Sequence, residues 1–401
     1  MVNRPFVSVV VGRFGFMKLV VSVRLFPSAA VAAALRETLV ICNEAANVAS
    51  AVMFEQKVRT AFDLHHRVYY DLRSGCGLSA QPTARTIKKV ADAYRTFRSN
   101  ARAGNYGRAG CDRRAAAPSK PIRFAPLSAQ PFDDRCLSWQ YDTRTVSIWT
   151  VKGRLKGVPF KGSPDQIKTL ATHRQGETDL QYRDGMWFLL ATCDVEAPTL
   201  NLNPAGWLGV DLGIVNIATT STGVRWSGGS VTYRRKKNQH LRTRLQHKNT
   251  KSAKRLLKKR GRKETRFVAD TNHKISKHIV VEAQRTGHGI AIENLGGIRS
   301  RARLRKPQRA TLNSWAFAQL GQHLTYKTEQ AGVPLMIVNP AYTSQRCFEC
   351  GHTEKANRDR ENFTCRSCGV VAHADHNAAK NIAHLAETNW QQVAVNQPHA
   401  A

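Results

Sequence analysis

The sequence predicts a multidomain α/β protein, and three observations carry the prediction. From residue 204 to residue 338 short apolar runs alternate with helical stretches. Residues 29–103 keep a helical apolar spacing, and beyond residues 104–121, rich in Gly, Ala, Arg and Pro, the period changes to two. Near the C-terminus two CxxC pairs stand close together. At 401 residues, 42% of them hydrophobic, the chain is long enough for two or three cores. The net charge is +34. Self-repulsion on that scale opposes folding, so a polyanionic partner is expected. Nucleic acid fits better than a membrane, because no uninterrupted apolar run of 18 or more residues occurs.

Taken in order, residues 17–26 alternate as a strand, and Pro27 and Ser28 supply a stop and a helix cap. Met17 is an alternative start, which would make residues 1–16 an extension. In the helical stretch Leu35, Leu39, Cys42, Ala46, Ala49 and Met53 recur at helical intervals, as do Ile87, Val90, Tyr94, Phe97 and Ala101. These stripes read as bundle core. The outer faces are basic, either merely solvated or laid along a nucleic-acid backbone. Residues 137–139, 146–149, 178–182 and 186–192 read as strands of a small β domain, a barrel, with Asp184-Gly185 as a tight hairpin turn. If residues 17–26 supply one of its strands, the helical stretch is an insertion into the barrel.

Residues 204–229 read as two or three antiparallel strands, and residues 233–283 as helical. Between Arg234 and Arg266 stand sixteen Lys or Arg residues and one acid, Glu264. Such a run is usually a solvated face or a disordered arm. The spacing of Leu241, Leu245, Leu256, Leu257 and Phe267 favours one or two ordered helices that meet a nucleic-acid backbone. Candidate contacts there are Arg234, Arg235, Lys236, Lys237, Arg242, Arg244, Lys258, Lys259, Arg260, Arg262 and Lys263. A strand at residues 288–295, a helix at 312–331 and a strand at 334–338 follow. This succession, with acids at strand ends, is what a ribonuclease-H-like fold would show.

Cys347, Cys350, Cys365 and Cys368 bring four thiolates to one soft divalent cation, and the glycine after each pair lets the chain turn. With four sulfur ligands no open position remains, so one structural Zn²⁺ is expected. Arg346 beside it is a further candidate nucleic-acid contact. The other five cysteines are scattered and odd in number, as in a cytoplasmic protein with reduced thiols.

Three acids remain: Asp211 in Gly209-Val210-Asp211-Leu212-Gly213, Glu293 ending an apolar strand, and Asp375 opening an Ala-rich helix. Singly, Asp211 could turn the chain and Asp375 could cap the helix. Together they match a phosphodiester-cleaving site, in which two Mg²⁺ or Mn²⁺ ions about 3.5–4 Å apart are held by a few carboxylates.

The segments GVDLGIVNIATT, IAIENL, TSQRCFECG and ADHNAAKNIA stand in the order seen in the TnpB (OrfB) family of insertion-sequence proteins, and the chain resembles that family from about Lys18 to Leu385. The resemblance implies an RNA-guided DNA endonuclease related to compact type V CRISPR effectors. Its partners would be a noncoding guide RNA and double-stranded target DNA. Asp211, Glu293 and Asp375 would match the RuvC acids, and the four cysteines the zinc ligands. It implies residues 1–27 as an extension plus first wedge strand, 28–118 as a helical recognition domain and 119–205 as a β-barrel wedge domain. Residues 206–340 would be the RuvC-like nuclease domain with a basic helical insertion at 230–285, 341–370 the zinc ribbon, and 371–401 the last RuvC segment and tail. Alternatives are a miniature CRISPR effector, a transposase and a nucleic-acid-binding regulator that does not cut.

Overall fold

The computed structural model describes residues 8–10, 15–107, 120–295 and 317–395. Cys111, most of the 104–121 linker and the expected helix start at Leu312 lie outside the described residues. The chain forms two compact units, residues 16–196 and residues 1–15 with 197–401. Ser8–Val10 forms a short strand, β1, that belongs to the second unit.

The first unit opens with β2, Phe16–Leu25. The Ser28 hydroxyl accepts from the Val31 N–H at 3.4 Å and starts α1, Ala29–Glu55. Thr60 caps α2, Ala61–Cys76, which ends where Gly77 turns left-handed with φ 63°. Ala80–Arg102 forms α3. The predicted stripes are buried except Phe97 and Ala101, which are half-buried, and α1 serves two cores with one stripe. Its first half (Leu35, Leu39) packs with the sheet described next, and its second half (Cys42, Ala46, Ala49, Met53) packs with Leu64, Val68, Ile87 and Val90 of the other helices.

That sheet contains β3 (Gln130–Phe132), β4 (Leu137–Gln140), β5 (Thr145–Thr150), β6 (Gly153–Lys161), β7 (Arg174–Arg183) and β8 (Met186–Glu196), with helix α4 (Pro164–His173) before β7. Its order is β3-β7-β8-β2-β6-β5-β4, with every pair antiparallel. Laid flat, seven strands would put the edges about 29 Å apart. Yet the edge strands β3 and β4 are joined by Asp133–Cys136 alone, which spans at most about 18 Å. The sheet therefore rolls until its edges approach, a nearly closed barrel with β2 as a central strand, as expected. Sequence reading missed β3, β6 and α4. β6 carries Gly153, Gly157 and Pro159, which interrupt its alternation.

The second unit holds a six-stranded sheet ordered β1-β13-β12-β9-β10-β11. Its strands are β9 (Trp207–Asp211), β10 (Asn216–Thr220), β11 (Arg225–Ser227), β12 (Gly289–Glu293) and β13 (Leu335–Val338), besides β1. β9, β12 and β13 run parallel, while β10, β11 and β1 are antiparallel to their neighbours. The basic run forms two helices, α5 (Gly229–Lys248) and α6 (Lys251–Thr286), and Phe317–Ala331 forms α7. The parallel strands are apolar on both faces because both are covered. Leu208, Val210, Ile290, Ile292 and Leu335 pack with Ile275, Ile279, Leu320 and Leu324 of α6 and α7. Trp207, Ala291, Met336 and Val338 pack with Ile382 and Ala386 of α8, Ala374–Val395. Between β13 and α8 lies a small antiparallel sheet of β14 (Arg358–Asp359), β15 (Asn362–Thr364) and β16 (Val371–His373).

Candidate active site and metal centre

Glu293 and Asp375, 82 and 164 residues beyond Asp211 in the chain, come within electrostatic reach of it at one end of the large sheet. Asp211 is the last residue of β9 and Glu293 the last of β12. These strands are parallel neighbours with Ile292 opposite Val210, so both carboxylates emerge at the same carboxyl edge. Asp375 lies in the first turn of α8, which crosses β9 very closely. A Cβ on Gly209 would lie 2.0 Å from the Ala379 carbonyl oxygen and 2.6 Å from the Ala383 nitrogen. Only glycine lets the helix settle on the strand there, and that contact brings Asp375 to Asp211.

Their surroundings differ. The Asn216 amide donates to Asp375 Oδ2 at 2.9 Å, and Arg358 of β14 pairs with Oδ1 at 3.1 Å. The Thr343 hydroxyl donates to Glu293 Oε1. Asp211 has no ion pair or side-chain hydrogen bond among the described residues, and the Leu212 N–H is its nearest polar help. Burial first, and then the charges of Glu293 and Asp375, push the Asp211 carboxyl up to about 8, against the pull of Arg358. Burial also raises Glu293, opposed by Thr343 and Arg358. Arg358, Thr343 and Asn216 are the site residues that sequence reading missed. Arg358 was visible only as one of several cations around the cysteines, and nothing local in the sequence links it to Asp375.

The four cysteines converge. Among the described residues they are the group whose ligand atoms all lie within 4.8 Å of one another. Cys347 and Cys368 sulfurs are 3.6 Å apart, and Cys350 and Cys365 sulfurs 3.5 Å. A tetrahedral Zn²⁺ with Zn–S bonds of about 2.3 Å has sulfur–sulfur edges of about 3.8 Å, so the quartet fits zinc. The two knuckles repeat one pattern. The Cys347 N–H donates to the His352 carbonyl at 2.8 Å and the Gly351 N–H to the Cys347 carbonyl at 3.0 Å. The Cys365 N–H donates to the Val370 carbonyl at 2.9 Å and the Gly369 N–H to the Cys365 carbonyl at 3.0 Å. Gly351 and Gly369 turn left-handed at φ 75° and 72°. The backbone N–H groups of Cys368 and Ser367 lower the Cys365 thiol to about 6, favouring the thiolate that a metal needs.

The ribbon is bolted to α8. Asn377 accepts from the Phe348 N–H at 3.1 Å and donates to the Arg346 carbonyl at 2.8 Å, while Asn381 donates to the same carbonyl at 2.7 Å and to that of Thr343 at 2.9 Å. The helix that carries Asp375 therefore also carries the ribbon, and β14 returns Arg358 to Asp375.

The basic hairpin is ordered. Glu264 accepts from Asn238 at 2.9 Å and pairs with Arg242 at 3.4 Å, joining α6 to α5, and the Arg234 guanidinium lies 3.8 Å over the Phe267 ring. Arg234, Lys237, Lys259, Arg260 and Lys263 line one cavity of about 420 Å³ together with Glu264. Lys236, Arg244, Lys258 and Arg262 are exposed elsewhere on the hairpin. Arg235 and Arg346 are half-buried, and burial lowers the Arg235 pKa.

Two family profiles match: the one described as OrfB_IS605, "Probable transposase", over residues 191–296, and the one described as "Cas12f1-like, TNB domain" over residues 317–382. Over these segments the chain is similar to the TnpB and Cas12f proteins. It is 34% identical over 220 residues to the CRISPR-associated endodeoxyribonuclease Cas12f1 of Sulfoacidibacillus thermotolerans, covering 50% of each chain. It is 34% identical over 148 residues to the TnpB-like protein MJ0751 of Methanocaldococcus jannaschii, covering 37% of this chain and 52% of that one. The chain spans about half the length of the curated relatives it matches. Among solved structures, the Cas12f1–sgRNA–target DNA complex aligns with a TM-score of 0.56 at 15% identity, covering 89% of this chain and 83% of that one. The fold is thus similar to that of the Cas12f1 chain in that complex. Among the described residues no helix is long and apolar enough to cross a membrane.

Proposed function

We propose that this TnpB-like chain is an RNA-guided DNA endonuclease that cleaves phosphodiester bonds at Asp211, Glu293 and Asp375. The observation that carries the reading is the meeting of these three acids at the carboxyl edge of β9 and β12. The sheet order around them, with three parallel strands flanked by an antiparallel pair, supports a ribonuclease-H-like (RuvC) nuclease domain. The donor set fits a hard divalent cation. It offers carboxylate oxygens, Asp211 has no ion-pair partner among the described residues, and burial, followed by the charges of Glu293 and Asp375, holds Asp211 up to about 8. Mg²⁺ or Mn²⁺ bound there would activate the attacking water and stabilise the leaving 3′ oxygen. The chain's own residues keep the ligands in place. Thr343 orients Glu293, Asn216 and Arg358 orient Asp375, and Asp211 gives up its proton when a cation binds. One shared acid with two flanking ones needs no cluster as tight as the cysteine quartet, since the two ions themselves stand about 3.5–4 Å apart.

The partners follow from charge and kinship. The chain carries +34, and the solved neighbour holds sgRNA and target DNA. The basic hairpin would contact the backbone while base pairing reads sequence. Similarity to Cas12f1 favours a second reading, a miniature CRISPR effector, whose genome would carry a repeat array beside the coding sequence. The test is to purify the protein with its co-expressed flanking transcript and challenge a plasmid library with randomised bases beside a matched target. Guide-dependent cutting that vanishes in Asp211→Ala, with RNA still bound, is the expected result. Cutting that ignores the transcript, or an Asp211→Ala protein that cuts normally, refutes it.

A further inference from the structure

A cavity of about 210 Å³ opens at the C-terminal end of α1, in the unit that does not contain the acids. Its floor is apolar: Phe54, Val58, Phe97 and Ile122. Lys57, Arg59, Arg98 and Lys120 also line it, and among the described residues no acidic side chain does. The wall is rigid and its polar groups are already engaged. The Tyr94 hydroxyl donates to the Ser50 carbonyl at 3.0 Å and accepts from the Ile122 N–H at 3.2 Å. The last carbonyls of α1 are taken as well. Val52 accepts from the Gln56 N–H at 3.0 Å, Met53 from the Val58 N–H at 3.1 Å and Phe54 from the Lys57 N–H at 3.3 Å. The helix end therefore does not cancel the positive rim. Arg98 donates to the Arg59 carbonyl at 3.1 Å and braces that rim.

An apolar slot under an unbroken cationic rim matches a flat ring that carries negative charge beside it. Its volume falls below the about 300–1,000 Å³ of drug-sized pockets, so it has room for one ring system. A nucleotide has that chemistry: the base stacks on aromatic side chains and its phosphates meet Lys and Arg. Lys57, Arg59 and Lys120 are exposed and offer three cations beside the apolar floor. We propose that this cavity receives one unpaired base of a single-stranded nucleic acid, with the flanking phosphates on Lys57, Arg59 and Lys120. The site is independent of the carboxylates, and its test reads binding, not cleavage.

The experiment uses the full chain and a single-stranded RNA of about ten nucleotides carrying one 2-aminopurine. Insertion against Phe54 and Phe97 should quench its fluorescence. The double substitution Lys57→Glu with Arg59→Glu should weaken the quenched complex about tenfold or more. Lys156→Glu with Lys168→Glu, an equal charge change at exposed positions outside the cavity, should have a much smaller effect. An RNA with an abasic site should bind without the base contribution. Because Lys57 and Arg59 are exposed, the variant's melting temperature should match the parent's. Equal quenching in both double variants, or no quenching at all, overturns the proposal. AMP binding as tightly as the strand overturns the strand as occupant and assigns the cavity to a free nucleotide.

Discussion

The cysteine quartet and the carboxylate triad are opposite solutions to the same problem of gathering ligands. The quartet comes from one stretch of 22 residues, and its four sulfurs lie within 4.8 Å of one another. The triad comes from two strands and a helix, and Asp211 has no ion-pair partner among the described residues. The quartet is shaped by the metal it would hold, while the triad is shaped by the fold. Complete coordination suits a site that keeps a shape, and incomplete neutralisation suits one that must take up ions and substrate.

The sharpest way to break this contrast is Asp211→Ala, expected to lower cleavage about a thousandfold or more while RNA stays bound. Cys365→Ser should lower the metal bound per chain and loosen the ribbon's hold on Arg358 and α8. Cleavage should then fall severely although Asp211 and Glu293 are untouched. Normal cleavage in a zinc-free variant would mean that ribbon and triad are uncoupled. Gly209→Ala tests the fold-built side. Forcing a Cβ against the α8 backbone should cost about 1–3 kcal/mol or more and displace Asp375. A melting temperature within error of the parent's would contradict the close approach.

The smallest effect is electrostatic. An unfolded Asp ionises at about pH 4, whereas native Asp211 keeps its proton up to about 8. Between these values the native state binds more protons than the unfolded one, so this contribution to stability is full at low pH and is lost as pH rises through 8. Without divalent ions the melting temperature should fall from pH 5 to pH 8, and Asp211→Asn should flatten that fall. Mg²⁺ should recover stability more at pH 8 than at pH 5. A parent and an Asp211→Asn protein with parallel pH profiles would show that Asp211 is not the strained group.

What the sequence revealed follows the same contrast. The quartet was legible because its ligands are local and their spacing is the geometry. The α1 and α3 stripes were legible because a buried helix face repeats at fixed intervals. The rolled sheet was legible only in part, since β6 and the three-residue β3 are too irregular or too short to show a period. Asp211, Glu293 and Asp375 stood out because each interrupts an apolar run or opens a helix. Arg358 and Thr343 did not, because their roles arise only when the ribbon docks on α8 and the loop after β13 turns toward β12. Gly209 is a helix-contact position, which nothing local in the sequence marks.

The edge strand β1 sets a timetable. Its partner β13 lies more than three hundred residues later in the chain, with Ser8 opposite Ile337. At about 5–20 residues per second a ribosome needs roughly 16–65 seconds to make the chain between them. Through that interval the unit of residues 16–196 is finished while the first residues have no sheet to join. The six-stranded sheet is therefore sealed at its edge only late in synthesis, and Asp375 emerges later still, so each newborn chain completes its acid cluster among its last acts of assembly.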